Sequence, residues 1–269
     1  MEGVWIAKQY HDTFLKTKSA INSIRAFDPH LPVALRINLN ERKNGLLHIG
    51  YSVLHDHMIR PEVSGSAVVE NDTIYEQGFF TIDLTLSDSS GYYRAKTDYS
   101  YFDPSVLYLK WNAASRTIDV CIVRDSITVI DIAYERILDA FDQEHSYPNP
   151  LYQYTRSTIL SGDFILEDDA GRILTRELKI APTGFVSGYA QFNGLKAIYS
   201  TDVYCGGPMP YDVVLFCKDS ITLSPECLHF AFTYVNKDEL HLSDAHGFVD
   251  EDTTSLELMY ILKRRSKVN

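Results

Sequence analysis

The chain opens on a short apolar run, Val4-Trp5-Ile6, and then places Tyr10, Phe14, Ile21 and Ile24 on a rough three-to-four-residue period. That spacing is the stripe of one helix face, so it predicts an N-terminal helix lying against another element. Asp28-Pro29 and Leu31-Pro32 end it, because proline forces the residue before it into extended backbone. From there a period of two takes over. Strands are predicted at 33–39, 46–57, 79–86, 92–101, 106–111, 117–123 and 127–134, with turn residues such as Asn44-Gly45 and Ser89-Ser90-Gly91 between them. In 81–86 the residues Ile82, Leu84 and Leu86 share one face and Thr81, Asp83 and Thr85 the other, the mark of a sheet wet on one side.

The stretch 139–156, with two prolines and many polar groups, breaks this series and predicts a connection between an N-terminal lobe, 1–140, and a C-terminal lobe, 157–269. A second series follows at 162–166, 173–180, 185–190, 197–204, 213–217, 228–235, 239–242 and 256–262. About fifteen short strands with so little helix cannot form parallel crossover units. The predicted fold class is therefore all-β, an antiparallel barrel architecture of two tandem barrels or lobes with one N-terminal helix. One larger closed barrel is the alternative, although a ring of about sixteen strands would enclose a water channel.

Composition agrees with this picture: 18 Tyr and 13 Phe in 269 residues favour pleated, half-buried surfaces and apolar cavity walls. A net charge of −11 argues against nucleic-acid partners, whose binding rests on Lys and Arg displacing counterions. The one basic cluster, Lys263-Arg264-Arg265 with Lys267, reads as a solvated tail. No apolar run reaches the length of about 18 residues that a span needs, and no leader-like segment opens the chain. The expectation is a soluble protein, cytoplasmic as it stands, or periplasmic or secreted if a leader has been removed. Asn71-Asp72-Thr73 is a glycosylation sequon in a secreted setting only. Cys121, Cys205, Cys217 and Cys227 lack paired spacing and are expected as reduced core thiols, with a disulfide in the 205–227 region open to an exported chain.

Gly3-Val4-Trp5 resembles the Gly-x-Trp signature of the lipocalins, and Thr97-Asp98-Tyr99 resembles their second short motif. Arg124 or Arg136 matches the arginine that packs on the tryptophan near the last strand. The C-terminal half resembles small bacterial lipocalin-like domains, from Leu160-Ser161-Gly162-Asp163-Phe164 through Thr201-Asp202-Val203-Tyr204 and Gly206-Gly207-Pro208 to a last strand with basic residues at its end. The resemblance implies a calyx that binds a small apolar or aromatic molecule, without catalysis. Parity supplies candidate walls: Leu47, Ile49, Tyr51 and Val53 share a face with His55, and Leu228, Phe230, Phe232 and Tyr234 share another. Tyr99, Tyr101, Trp111 and Tyr199, aromatic with polar tips, are candidates to orient the ligand.

A competing constellation is Gly50 followed by His55-Asp56-His57 and Glu62, which resembles the first cupin motif. Two His at i and i+2 on a strand point to one face and can chelate a divalent metal, with Glu62 as an oxygen ligand and His229, His241 or His246 as further candidates. The spacing departs from that motif by one residue between Gly50 and His55, and Val69 stands where a glycine is expected. The plainer reading places His55 and His57 at a barrel rim with ordinary hydrogen-bond partners and no cofactor. Enzyme templates otherwise fail: there is no Gly-x-Ser-x-Gly elbow, phosphate loop or Gly-x-Gly-x-x-Gly, and Asp168-Asp169 and Glu251-Asp252 read as exposed turn acids. No catalytic residue is assigned. The leading expectation is a non-enzymatic binder; a metal-dependent enzyme, a barrel cyclase or isomerase, and an interaction module working through an exposed apolar patch compete with it.

Overall fold

Alternating apolar and polar side chains let a strand bury one face and wet the other, and a ring of such strands has no exposed edge. A computed structural model of the chain describes residues 2–24, 26–27, 31–41, 46–52, 68–69, 72–73, 78–87, 91–97, 106–124, 128–139, 150–200, 211–218, 227–245 and 256–265. It holds two compact units, one of Met1–Thr17 and Asn22–Leu151, the other of Lys18–Ile21 and Tyr152–Asn269.

The first unit is a closed antiparallel barrel. Its strands are β1 (Gly3–Ala7), β2 (Ala34–Ile37), β3 (Leu46–Ser52), β6 (Gly78–Ser87), β7 (Tyr93–Thr97), β8 (Val106–Asn112), β9 (Thr117–Arg124) and β10 (Thr128–Leu138), each beside the next, with β10 returning to β1. The short strands β4 (Val68–Val69) and β5 (Asp72–Thr73) pair with each other. Register carries the inward face around the ring: Leu107 lies opposite Ile122, Leu109 opposite Val120, and Ile118 opposite Tyr134, all buried. Between them Tyr108 and Lys110 stay half-exposed, so the period of two in the sequence is the period of burial in the sheet.

The predicted N-terminal helix is present but interrupted. α1 (Lys8–Thr17) buries Tyr10, His11 and Phe14, and α2 (Ala20–Ile24) follows after Lys18, whose φ of 55° is left-handed. Tyr10 and Phe14, one turn apart, stack at 6.2 Å between ring centroids, while Phe27 meets Tyr10 edge-on at 6.5 Å. Apolar spacing alone does not reveal such a break, because Ile21 and Ile24 still fall on the helical period.

The second unit contains eight strands: β11 (Gly162–Asp168), β12 (Ile173–Ile180), β13 (Val186–Ser187), β14 (Lys196–Ser200), β15 (Asp212–Cys217), β16 (Leu228–Asn236), β17 (Glu239–Asp244) and β18 (Leu258–Arg264). α3 (Pro150–Thr155) and a π-helical turn, Arg156–Leu160, lead into them. Their order is β13-β12-β11-β18-β17-β16-β15-β14, so last and first strands again pair. The two end strands approach one another through a Phe185–Lys196 bridge and through backbone bonds from Val186 N to Leu195 O (2.9 Å), Gly194 N to Val186 O (3.0 Å) and Ala197 N to Gly184 O (2.8 Å). The sheet is thus a nearly closed barrel, and the chain forms two sheets of eight strands rather than one large ring.

Three expectations are corrected. The strand predicted at 185–190 shrinks to Val186–Ser187, because the backbone turns at Gly188 (φ +86°), where a Cβ would stand 1.8 Å from the Glu177 carbonyl oxygen. Cys217 and Cys227 are not reduced thiols; they form a disulfide, Cα atoms 4.4 Å apart, in an apolar cluster with Ile198, Val213 and Leu215. Adjacent antiparallel strands bring the two residues together, and the sequence does not give that register. Closing a loop over ten residues is worth about 2–3 kcal/mol by loop entropy and suits an oxidising compartment. Asp168 is not an exposed turn acid. It is buried and accepts bonds from Ala170 N, Arg172 N and Arg172 Nε (3.1, 2.8 and 2.7 Å), and the Arg172 backbone bond leads the causes that hold its carboxyl below the usual range. No described helix is long and apolar enough to cross a membrane.

Candidate functional site

Each barrel closes on the same small constellation. In the first, Trp5 on β1 lies opposite Arg136 on β10, and its ring meets Trp111 of β8 edge-on at 5.4 Å. Gly3, two residues before Trp5, has φ +127°; a Cβ there would stand 2.4 Å from Leu138 O and 2.8 Å from Arg136 Nε. Only glycine tolerates both the backbone angle and the approach. Arg136 is held in turn by the Asp139 carbonyl (3.1 Å) and carboxylate (3.2 Å). In the second barrel, Phe164 on β11 lies opposite Arg264 on β18, whose guanidinium carbon sits 4.9 Å from the ring centroid, a cation–π contact. Gly162, two residues before Phe164, has φ +154°, and a Cβ would stand 2.5 Å from Arg264 Nη1. Arg264 also donates to the carbonyls of Ser161 (2.7 Å) and Ile159.

The basic cluster at the end of the chain is therefore not a solvated tail as far as residue 265. Lys263 pairs with Glu167 at 2.7 Å, Arg264 is partly buried on Phe164, and Arg265 donates to the Arg176 carbonyl. Of the two arginines matched in the first half, Arg136 is the one opposite Trp5.

The described parts of the two interiors are lined differently. Around Trp5 and Trp111 the described inward residues of the first barrel are mainly aliphatic, with Ala95 among them. Tyr134 is the large polar exception; its hydroxyl donates to Pro32 O at 2.5 Å, and burial pushes its pKa well above the ordinary value, so it stays a neutral donor. The second barrel is filled by rings. Phe192, from the turn between β13 and β14, is fully buried, stacks on Phe216 at 4.7 Å and meets Phe230 and Tyr260 edge-on at 6.1 and 5.4 Å. Tyr260 is fixed by a 3.0 Å bond to Gln191 in the same turn.

At the opposite end of β14 and β15 lies a polar group the sequence reading missed. Asp212, buried in the second unit, is bonded by the Ile21 amide at 3.1 Å and by Ser19 and Tyr199, while the Ala20 amide donates to the Tyr199 hydroxyl at 3.1 Å. Desolvation is the leading cause and raises the Asp212 pKa, against the opposing pull of these bonds. A carboxyl whose native pKa stands above its unfolded value, near 3.9, binds its proton more tightly in the folded state. Its contribution therefore favours folding at low pH and is lost as pH climbs through the raised native value. Asp212→Asn, permanently neutral, is expected to be at least as stable as the native chain at pH 7 and to converge with it near pH 4. Asp212→Ala strands the Ile21 amide and is expected to cost about 1–3 kcal/mol. Denaturant titrations at the two pH values check this, and an Asn variant markedly weaker at pH 7 contradicts it.

Of the residues predicted for binding, Trp111 lies on the inner face of the first barrel, and Tyr199, Phe230 and Phe232 lie within the second, where Tyr199 meets Phe232 edge-on at 5.3 Å. Tyr51 occupies the β3 position opposite Leu35 and Gly78, but its side chain, with His55, His57, Glu62, Tyr99 and Tyr101, lies outside the described residues. His241 bonds Glu239 at 2.7 Å, His229 stands opposite Leu215, and His246 is outside the described residues. Among the described residues no group of three His, Cys, Asp or Glu is placed to hold a metal ion. Asp212 heads the apolar run Val213-Val214-Leu215-Phe216, and a lone acid on such a strand was the available signal; Phe192 in a polar turn gave none. Comparison with family models, curated proteins and solved structures found no match to this chain.

Proposed function

We propose that the first barrel is a lipocalin-like calyx that binds a small apolar or aromatic molecule against Trp5 and Trp111, without catalysis, and that the second barrel is its packed scaffold. The observation that carries this reading is the tryptophan pair on the inner face of the first barrel. An eight-stranded barrel has room for its own side chains or for one small ligand. In the second, Phe192, Phe216, Phe230 and Tyr260 take that room in mutual ring contact. In the first, the described wall is aliphatic around one tryptophan pair, with Arg136 and Tyr134 as polar groups near it. Apolar walls with a few polar groups suit a ligand cavity.

Trp5 and Trp111 are the two tryptophans of the whole chain, so tryptophan emission reports on the first barrel alone. Titration with N-phenyl-1-naphthylamine is expected to give saturable energy transfer from tryptophan at one site per chain. Trp111→Ala is expected to weaken binding about tenfold, the effect of losing an aromatic contact worth about 1–1.5 kcal/mol. Absence of saturable binding, or saturation without quenching of tryptophan, rejects the assignment.

A further inference from the structure

We propose that the end of the second barrel at Asp212 is a second binding site, for the ammonium group of a small amphiphilic amine, and that residues 18–21 occupy it as a displaceable strap. The strap is already part of this unit in the fold. Ser19, Ala20 and Ile21 are almost wholly buried, and they present neutral donors, a hydroxyl and two amides, to Asp212 and Tyr199.

Three features separate this from an ordinary structural contact. First, register places Asp212 on the same face as Val214, Phe216 and the opposing Phe230 and Phe232, so a carboxylate stands at the head of an aromatic interior. Second, its donors among the described residues, a hydroxyl, a phenol and amides, are all neutral, so none of them brings a positive charge to the carboxyl. A buried charge is costly unless paired. An alkylammonium supplies the same donors and a positive charge, and its apolar tail takes the place that Ala20 and Ile21 vacate at the barrel end, beside the packed rings; Tyr199, edge-on to Phe232, is already a hydrogen-bonding ring at that spot. Third, the strap is held in a strained path. Lys18, a non-glycine residue, has φ 55°, a left-handed conformation that release of the strap relieves. The strap thus works as a stand-in ligand that a better donor displaces.

The test is independent of the first-barrel reading, because it follows amides of the strap rather than tryptophan emission. The full chain is titrated at pH 7 with octylamine and, in parallel, with octanol, and hydrogen exchange of the 18–21 segment is followed by mass spectrometry or NMR. Octylamine is expected to bind saturably, at least tenfold more tightly than octanol, and to speed exchange of the Ala20 and Ile21 amides at least tenfold. Asp212→Asn is expected to abolish the preference for the amine. Ala20→Pro, which removes one strap donor at the first position of α2 where proline is tolerated, is expected to tighten amine binding several-fold. Equal binding of amine and alcohol, strap amides still protected at saturation, or amine affinity unchanged by both substitutions overturns the proposal.

Discussion

Gly3→Ala is expected to lower the stability of the first barrel by about 3–4 kcal/mol. The alanine meets two obstacles together. A φ of +127° is a region that L side chains rarely adopt, and the new Cβ stands 2.4 Å from Leu138 O, a backbone atom of the strand that closes the ring. A backbone carbonyl cannot swing aside without opening the seam between β1 and β10. Gly162→Ala makes the comparison informative. The same position in the second barrel also has a positive φ, but its nearest obstacle, at 2.5 Å, is the tip of the Arg264 side chain. That guanidinium can give way, so the cost is expected to fall short of the Gly3 value and to come with loss of the Phe164 contact. Gly171→Ala, at φ +76° with nothing within 4 Å, carries the backbone term alone, about 1 kcal/mol. Denaturant unfolding of the three variants is expected to rank Gly3 worst and Gly171 mildest. A Gly3 variant no weaker than the Gly171 variant contradicts the closed seam.

Phe192→Ala is expected to cost about 3–5 kcal/mol and to lower the melting temperature of the second barrel by roughly 10–20 °C. The ring is fully buried and touches Tyr189, Phe216, Phe230 and Tyr260, so its removal leaves a cavity that strands cannot close by small shifts. Phe192→Leu keeps much of the volume but none of the ring geometry, and is expected to lie between. Calorimetry separates this from damage to the first barrel: the tryptophan-reported transition is expected to move less than the transition of the variant unit. If Phe192→Ala melts as the native chain does, the turn that carries it is not a plug.

The strands were legible because burial in a half-wet sheet repeats every two residues. Leu107 and Leu109 against Tyr108 and Lys110 show it, as do Ile118, Val120 and Ile122 against Asp119 and Cys121. What a local pattern does not contain is register between distant strands. Gly3, Trp5 and Arg136 make sense as a group only once β1 pairs with β10, and Asp212 meets Ile21 across 191 residues. The Cys217–Cys227 bond has the same origin, since it depends on β15 and β16 being neighbours. Lys18 eluded the pattern for another reason: a single left-handed residue leaves hydrophobic spacing intact while redirecting the chain. The site residues divide along these lines. Phe230 and Phe232 were accessible through parity and Trp111 through its polar-tipped ring, whereas Arg264 was misread because a basic residue near a terminus gives no sign that it lies on an aromatic ring.

The central claim is that one barrel keeps room for a ligand while the other is filled by its own rings. A crystal structure grown with 1-bromonaphthalene and read by bromine anomalous scattering tests it most directly. The predicted result is a bromine peak enclosed by β1 to β3 and β6 to β10, within contact of Trp5 or Trp111. A peak inside the second barrel with Phe192 displaced, or peaks confined to the outer surface, would contradict it.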